Sequence, residues 1–270
     1  MPEHIAPEEG RSLFGLNVHG YDAARPDYPE AFYSHLLDSK ALAPGMSVLD
    51  IGAGNGLASK ALLAAGADPI TLIEPDERFS ALLEALRDQY SAQIRIIHTP
   101  FEEADLPTEA FDLVVSATSF HWLDPDTRVA RLAEVVKPGG HVALLGHVFR
   151  DLYKPDAFHE ATKTLFRDHA VSPTGAPDAV PFMLRRAERE AEFIETGSFE
   201  RASYLEVLWT LTLDPGEIGL LYESFSSTQR LREADRVALL DALKKIAVNE
   251  FAGSVERHMT STLYLFRRLG

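Results

Sequence analysis

Between Ser47 and His147, short apolar segments alternate regularly with helical segments. The apolar segments are SVLDI, ITLIE, IRIIH, FDLVVS and HVALLGHV. Between them, apolar residues recur at the spacing of amphipathic helices. Strands that alternate with helices form βαβ units around a parallel sheet, and near-continuous apolar strands are those covered by helices on both faces. The stretch therefore predicts an α/β fold with a mostly parallel sheet.

The stretches on either side of this core predict four regions in the chain. Residues 1–46 hold an aromatic and charged arm, YDAARPDYP, and then a helix that begins near Pro29. Residues 47–149 are the core. Residues 150–200 carry helical segments on both sides of the turn-rich VSPTGAPDAVP, and we expect them to form an inserted helical cap. Residues 201–270 return to the sheet through YLEVLWTLTL, a helix and STLYLFRR.

The composition excludes several kinds of chemistry and partner. The chain contains no cysteine, which rules out disulfides, thiolate zinc sites and cysteine nucleophiles. The net charge of −15 disfavours nucleic acid as a partner, because phosphate backbones are bound by clustered Lys and Arg. The ten histidines show no metal-ligand spacing, so we expect no metal. No signal segment and no apolar run of about 18 residues occurs, so we expect a cytoplasmic protein without a membrane partner.

The most specific motif is the glycine loop VLDIGAGNG, which lies between the first predicted strand and the first predicted helix of the core. Its glycines are Gly52, Gly54 and Gly56. Glycine at such a turn permits positive φ and lets the backbone approach a bound ligand closely. A dinucleotide fingerprint would place its third glycine at position 57, where Leu57 stands. The spacing therefore argues against a dinucleotide.

An acidic residue before a G-x-G-x-G loop resembles motif I of the class I S-adenosylmethionine-dependent methyltransferases. The later segments FDLVVSATSFHWLD and KPGGHVALL follow in the order of that family's later motifs. The resemblance implies a Rossmann-like, seven-stranded, mostly parallel sheet with an antiparallel last strand. It also implies S-adenosyl-L-methionine as the cofactor and methyl transfer as the activity. The Tyr21-to-Pro29 arm, the Phe120-His121-Trp122 turn and the YESFS segment at 222–226 are similar to the small-molecule group that includes trans-aconitate methyltransferase.

Acidic residues at two strand ends are candidate contacts of this cofactor. Glu74 ends the second predicted strand about twenty residues beyond the loop, where a carboxylate can accept hydrogen bonds from both ribose hydroxyls. Asp50 ends the first strand and either contacts the amino group of the methionine moiety or orients the loop. Both interpretations of Asp50 stay open. Beside these acids, the predicted contacts are the loop residues Gly52, Ala53, Gly54 and Asn55, together with Pro75.

The third predicted strand leads into HTPFEEADLP, which resembles the family's G-D-A-E-x-L-P segment. Thr99 replaces the family's Gly, and Pro100 replaces its adenine-contacting Asp. Phe101 is predicted either to lie against adenine or to belong to the core, and Glu102 to hydrogen-bond near the base. The other cofactor contacts that the resemblance implies are Ser116, Ala117 and Phe120 after the fourth strand, and Tyr21 and Arg25 on the arm.

Methyl transfer from a sulfonium requires no catalytic nucleophile, because the cofactor already carries the reactive group. His121 is the candidate general base for a hydroxyl or amine acceptor, or it packs beside Trp122. His147 is likewise either a candidate general base or a residue with a packing role alone. A carboxylate acceptor would need no base. We expect a small-molecule acceptor, either a carboxylate or a hydroxyl, and a monomer or homodimer.

Three other functions fit part of the sequence. A non-catalytic S-adenosylmethionine-binding regulatory protein would keep the same loop, and no motif excludes it. An NAD-dependent oxidoreductase is disfavoured by the glycine spacing. A methyltransferase acting on macromolecules is disfavoured by the acidic composition and by the missing D/N-P-P-Y signature, since ATSF stands after the fourth strand.

Overall fold

The computed structural model describes residues 3–17, 24–166, 169 and 179–270. The chain divides into two compact units. One, the sheet unit, comprises Asp27–His147, Met183–Val207 and Ser261–Gly270. The other, the helical unit, comprises Met1–Pro26, Val148–Phe182 and Leu208–Thr260. The predicted division into the regions 1–46, 47–149, 150–200 and 201–270 stays a prediction.

Seven strands form one mixed sheet with the order β3-β2-β1-β4-β5-β7-β6. Strands β1 to β5 are joined by parallel pairing, and the antiparallel part lies among the last strands. The predicted α/β fold with a Rossmann-like, seven-stranded, mostly parallel sheet is therefore confirmed. The strands are β1 (Val48–Ile51), β2 (Ile70–Ile73), β3 (Ile94–Ile97), β4 (Phe111–Ala117), β5 (Val136–Val148), β6 (Phe199–Leu213) and β7 (Val255–Arg268).

Helices alternate with the strands along the chain. In the sheet unit they are α2 (Glu30–Asp38), α3 (Leu57–Ala64), α4 (Ser80–Gln89), α5 (Arg128–Val135) and α7 (Arg186–Ile194). In the helical unit they are α1 (Pro7–Leu13), α6 (Ala157–Thr162), α8 (Pro215–Glu223), α9 (Ser226–Gln229) and α10 (Glu233–Phe251). Short 3-10 helices occur at Phe14–Asn17, Glu77–Phe79, Phe120–Trp122, Lys163–Phe166 and Phe182–Leu184.

Helix α5 is shorter than its sequence indicates. Asp124 and Pro125 look like a helix start, but the Asp124 carboxylate accepts hydrogen bonds from the Asp126 N–H and the Thr127 hydroxyl in a turn. The helix therefore begins at Arg128. It ends at Val135, because β5 begins with the next residue.

The register of the parallel strands brings their carboxyl ends together at one edge of the sheet. Ile51 of β1 pairs with Ile73 of β2 on one side and with Ser116 of β4 on the other. Ala117 of β4 pairs with Leu145 of β5. Every residue of β1 and β2 is buried, as expected for central strands covered on both faces. The loops that leave these strands therefore start from a rigid, buried base.

The helical unit has its own apolar core. Helix α10 packs against α8, and Phe158, Leu221 and Leu243 are fully buried in this cluster. Of the helices that the structure describes, none has the length and hydropathy that a membrane span requires.

Candidate functional site

The glycine loop leaves β1 in a conformation that only glycine adopts without strain. Gly52 and Gly54 have φ of +70° and +55°. At Gly52 a Cβ atom would lie 2.5 Å from the Cβ of Ser119, which closes the space to any larger residue. At Gly54 a Cβ atom would meet nothing within 4 Å, so only the backbone conformation requires glycine there. The N–H groups of Gly52 and Ala53 both donate to the Ile73 carbonyl, which fixes the loop to β2.

Glu74, directly after β2, contacts the glycine loop. Its Oε2 accepts a hydrogen bond from the Gly54 N–H at 2.8 Å, and its Oε1 accepts one from the Asp76 N–H at 2.9 Å. The residue is only 7% exposed. Each carboxylate oxygen has a second lone pair, so these bonds leave the group able to accept from two ligand hydroxyls as well. The sequence indicated Glu74 as a ribose contact but gave no sign of its bond to the loop.

Burial raises the pKa values of two acidic residues in this region, Asp50 and Glu74, above their ordinary values. It raises the pKa of Glu74 to about 7, against the opposing effect of the hydrogen bonds from Asp76 and Gly54. Burial also raises the pKa of Asp50 to about 6, and the hydrogen bond from Ser59 opposes this shift. Both shifts have the sign expected when a carboxyl group leaves water.

Asp50 is fully buried at the end of β1. Its Oδ2 accepts a hydrogen bond from the Ser59 hydroxyl of α3 at 2.6 Å. Its Oδ1 has no hydrogen-bond partner among the described residues. A buried acceptor without a partner costs free energy, so this oxygen is suited to a donor supplied by a ligand. The contact with Ser59 also ties β1 to α3, and both interpretations of Asp50 stay predictions. Asn55 and Ala53 are buried beside it in the loop, and Pro75 is half-buried after Glu74.

A cluster of hydroxyl groups lies at the end of β4. The hydroxyls of Ser116 and Ser119 are 2.6 Å apart, and the Ser119 hydroxyl donates to the Ile51 carbonyl at the end of β1. Ala117 is half-buried between them in the chain. Thr118 adopts a positive φ of 53°, and its N–H donates to the Leu145 carbonyl of β5. Sequence reasoning places residues 116–121 at the predicted crevice but gives no individual role to Thr118 or Ser119.

Two of the aromatic side chains predicted to contact the cofactor are buried in the protein. Phe101 and Phe120 are each 1% exposed. The guanidinium of Arg128 lies 4.2 Å from the centre of the Phe120 ring and donates to the Phe120 carbonyl. Glu102 accepts a hydrogen bond from the Asp124 N–H at 2.9 Å, which fixes the turn before α5. In this conformation no face of either ring is open to an adenine, and their cofactor contacts stay predictions.

The histidines of this region have different surroundings. His121 is half-buried, and its ring centre lies 5.0 Å from that of Trp122. His147 stacks on Tyr28 with ring centres 4.3 Å apart, and its Nδ1 lies 2.7 Å from the Ser261 hydroxyl. His98, after β3, has Nδ1 at 2.9 Å from the Glu74 carbonyl oxygen. Sequence reasoning did not single out His98, because its role depends on the pairing of β2 with β3.

The predicted arm is described in part. Tyr21 lies outside the described residues. Arg25, in the helical unit, donates a hydrogen bond to the Ser224 carbonyl at 3.1 Å. Its guanidinium lies 5.1 Å from the centre of the Phe225 ring. Within the described ranges, no group of three or more His, Asp or Glu side chains is arranged to hold a metal ion.

Comparisons with known proteins relate this chain to methyltransferases. Residues 49–144 match the profile of a methyltransferase domain family. An uncharacterized methyltransferase of Mycobacterium tuberculosis is 32% identical over 132 residues, which are 49% of this chain and 51% of that protein. The chain thus spans about half the length of this curated relative. An uncharacterized methyltransferase-like protein of Schizosaccharomyces pombe is 25% identical over 247 residues, 90% of this chain and 89% of that one.

Among solved structures, the [4+2]-cyclase SpnF superposes with a TM-score of 0.62 at 17% identity, and the match covers 100% of this chain and 99% of that one. At this identity the similarity shows the fold alone. The profile match covers β1 to β5 together with the glycine loop, Glu74 and the β4 hydroxyl cluster. Residues 49–144 are therefore similar to a methyltransferase domain.

Proposed function

We propose that the protein transfers a methyl group from S-adenosyl-L-methionine to the hydroxyl or carboxylate of a small molecule. The observation that carries this proposal is the pairing of the buried Glu74 carboxyl with the Gly54 N–H at the carboxyl ends of β1 and β2. In open α/β sheets, ligands bind outside these ends, where the strand order reverses. Here the order reverses between β1 and β4, beside the glycine loop.

The residues at this edge fit a cofactor that carries positive charge. The segments at the carboxyl ends of β1 to β5, at 52–56, 74–76, 98–102, 118–122 and 146–147, contain no Lys or Arg. They contain Glu74, Asp76 and Glu102, and Asp50 precedes the first of them. A sulfonium and an ammonium are attracted by such a field, whereas a pyrophosphate would meet no cation in it. The charge distribution therefore favours S-adenosylmethionine over a dinucleotide.

Each chain segment has a defined part in this proposal. Gly52 to Asn55 form the backbone surface against which the cofactor lies. Glu74 accepts the ribose hydroxyls, and the free Oδ1 of Asp50 accepts a donor from the loop or the cofactor. The cofactor supplies an activated methyl group on sulfur. The protein holds the reacting atoms in line and keeps water away from them, which accounts for most of such catalysis. The remaining contacts in the proposal are Pro75, Phe101, Glu102, Ser116, Ala117, Phe120, Tyr21 and Arg25.

The finer features are also proposals. The chain resembles the trans-aconitate methyltransferase-like enzymes, and His121 and His147 are the candidate general bases where the acceptor needs one. The protein acts in the cytoplasm as a monomer or homodimer. Its small-molecule specificity is supported by the acidic composition, which disfavours nucleic acid.

Isothermal titration calorimetry with S-adenosylhomocysteine and with NAD tests the cofactor. The Gly54→Ala variant is compared with Gly197→Ala, because both glycines have positive φ and neither would place a Cβ near another atom. We expect both variants to lose about 1 kcal/mol of stability, and only Gly54→Ala to weaken S-adenosylhomocysteine binding, by about tenfold. Binding of NAD without binding of S-adenosylhomocysteine refutes the proposal. If S-adenosylhomocysteine binds but no methyl group is transferred from S-adenosylmethionine to any of a panel of hydroxyl and carboxyl acceptors, a regulatory protein is favoured.

A further inference from the structure

Four side chains of the sheet unit form a connected polar array, which we name the Tyr28–His147 array. The hydroxyls of Tyr28 and Thr118 lie 2.6 Å apart. The Tyr28 ring stacks on the His147 ring, with centres 4.3 Å apart and planes 7° apart. His147 Nδ1 lies 2.7 Å from the Ser261 hydroxyl. The array therefore joins an N-terminal residue, the ends of β4 and β5, and the middle of β7.

The array lies beside the proposed cofactor site, on the side away from the ribose. Ala117 pairs with Leu145, so Thr118, which follows β4, and His147, the penultimate residue of β5, lie at the carboxyl ends of neighbouring strands. Glu74, on β2, lies on the other side of β1. If Glu74 holds the ribose, the sulfur end of the cofactor is directed toward β4. The acceptor must approach from that side, because methyl transfer is in line.

The array also has the rigidity that a binding site needs. Thr118 keeps a positive φ of 53°, a conformation that is costly for a β-branched residue and that clusters at functional sites. Ser261 is fully buried, where a hydroxyl without a hydrogen bond costs free energy. The stacking on Tyr28 and the contact with Ser261 together fix the plane of the His147 ring. These contacts hold the imidazole in one orientation before any ligand binds.

The charges near the array distinguish between acceptor classes. Because the five segments named above at the carboxyl ends of β1 to β5 contain acids and no Lys or Arg, they offer a carboxylate acceptor no cation. A hydroxyl acceptor is neutral and suffers no such repulsion, but it must lose its proton as it is methylated. An imidazole is the side chain best suited to take a proton near neutral pH.

We propose that the Tyr28–His147 array is the acceptor subsite, that the acceptor is a hydroxyl compound, and that His147 takes its proton. This inference rests on the proposed function. With Nδ1–H donating to Ser261, Nε2 is the basic nitrogen of the ring. The proton of the acceptor hydroxyl passes to Nε2 as the oxygen forms its bond to the methyl carbon, and the electron pair of the broken carbon–sulfur bond stays on sulfur. His147 returns to its neutral form by releasing the proton to water.

A cofactor analogue tests the location without any knowledge of the acceptor. Sinefungin carries an amino group where the methyl group of S-adenosylmethionine is attached, and S-adenosylhomocysteine carries nothing there. Residues that face the transferred methyl group should therefore contact sinefungin alone. The affinities of both ligands are measured by calorimetry for Tyr28→Phe, Thr118→Val and His147→Asn. We expect each variant to bind sinefungin about tenfold more weakly and S-adenosylhomocysteine within about twofold of the parent protein.

His35→Asn is the matched control, because His35 makes a hydrogen bond of the same length to the Ser203 hydroxyl elsewhere in the sheet unit. It should change neither affinity. Equal losses of affinity for both ligands in the array variants, or an unchanged ratio of the two affinities, would overturn the proposed subsite. Failure of the parent protein to bind S-adenosylhomocysteine would instead count against the proposed function.

Nitrogen NMR of the histidine rings in the S-adenosylhomocysteine complex tests the proton acceptor. The chemical shifts of the two ring nitrogens report which of them carries a proton. The proposal expects His147 with a protonated Nδ1 and a bare Nε2 at about pH 7.5. A proton on Nε2, or protons on both nitrogens, would rule out His147 as the base. Assignment of the His147 signals comes from their loss in His147→Asn.

Discussion

The buried carboxyl group of Glu74 should make cofactor binding depend on pH. In the free protein, burial raises the pKa of Glu74 to about 7, so the group is largely protonated at acidic pH. Ribose hydroxyls donate hydrogen bonds to the ionised form and so favour it. Binding should therefore release a proton, and the affinity should rise with pH until the group is ionised in the free protein. Above that pH the affinity should be constant.

The size of the effect follows from the pKa of the free protein. Suppose that the ribose contacts return the pKa of Glu74 to its ordinary value of 4.5 or below. The ionised fraction of the free protein then changes about tenfold between about pH 8 and pH 6. The affinity should fall by the same factor over this interval, which corresponds to about 1.4 kcal/mol of binding free energy.

Calorimetric titration with S-adenosylhomocysteine at three pH values measures this dependence directly. The ligand itself has no group that titrates near neutral pH. Repeating each titration in two buffers with different ionisation enthalpies counts the protons released on binding. Glu74→Gln should bind more weakly and should show no tenfold change with pH. Glu77→Gln is the control, because Glu77 is exposed three residues further along the chain and should behave as the parent protein does.

Two results would refute this reasoning. One is an affinity that is constant from about pH 6 to pH 8 in the parent protein, which would mean that the carboxyl group is ionised before the ligand binds. The other is an equal pH dependence in Glu74→Gln, which would assign the proton to another group. Asp50 is the first group to examine in that case, since burial raises its pKa to about 6.

Two further predictions concern stability. Because the pKa of Asp50 is about 6 in the folded protein and 3.8 as its ordinary value, ionisation of Asp50 destabilises the fold as the pH rises through this interval, by up to about 3 kcal/mol. Asp50→Asn should therefore be more stable than the parent protein in urea unfolding at about pH 8 but not at about pH 4, and an equal effect at both would contradict the argument. In the helical unit, Arg257 pairs with Asp156 at 2.7 Å with both side chains buried, so Arg257→Met should cost about 3–5 kcal/mol. Arg232→Met is the control, because the Arg232 side chain is 87% exposed beside Asp235 and its loss should cost under about 1 kcal/mol in the same assay.

The sheet and the glycine loop could be predicted because they depend on local properties of the chain. The apolar segments of the sequence correspond to strands of the sheet, and every residue of β1 and β2 is buried. The loop glycines have the positive φ that their residue type indicated. These features require only the period of the apolar pattern and the freedom of glycine. The start of α5 was less predictable, because the competing turn at Asp124 uses a side chain that also begins helices.

The contacts that define the site depend instead on strand order. The bond between Glu74 and the Gly54 N–H requires β2 to lie beside β1. The contact between His147 and Ser261 requires β7, the last strand in the chain, to lie between β5 and β6. No local pattern places the last strand inside the sheet. Sequence reasoning therefore found His147 and Glu74 as candidate residues but not the partners that orient them.

The same distinction explains why the cofactor could be proposed from the sequence and the acceptor could not. The cofactor contacts that identify the motif, Gly52 to Asn55 and Glu74, lie in segments that directly follow β1 and β2, so their spacing in the chain reflects their spacing in the site. The proposed acceptor subsite joins Tyr28, Thr118, His147 and Ser261, which are far apart in the chain. One loop can bind the same cofactor in many proteins. An array built from distant segments changes whenever the sequence of any one of those segments changes. The choice of acceptor should therefore depend on the Tyr28–His147 array rather than on the glycine loop.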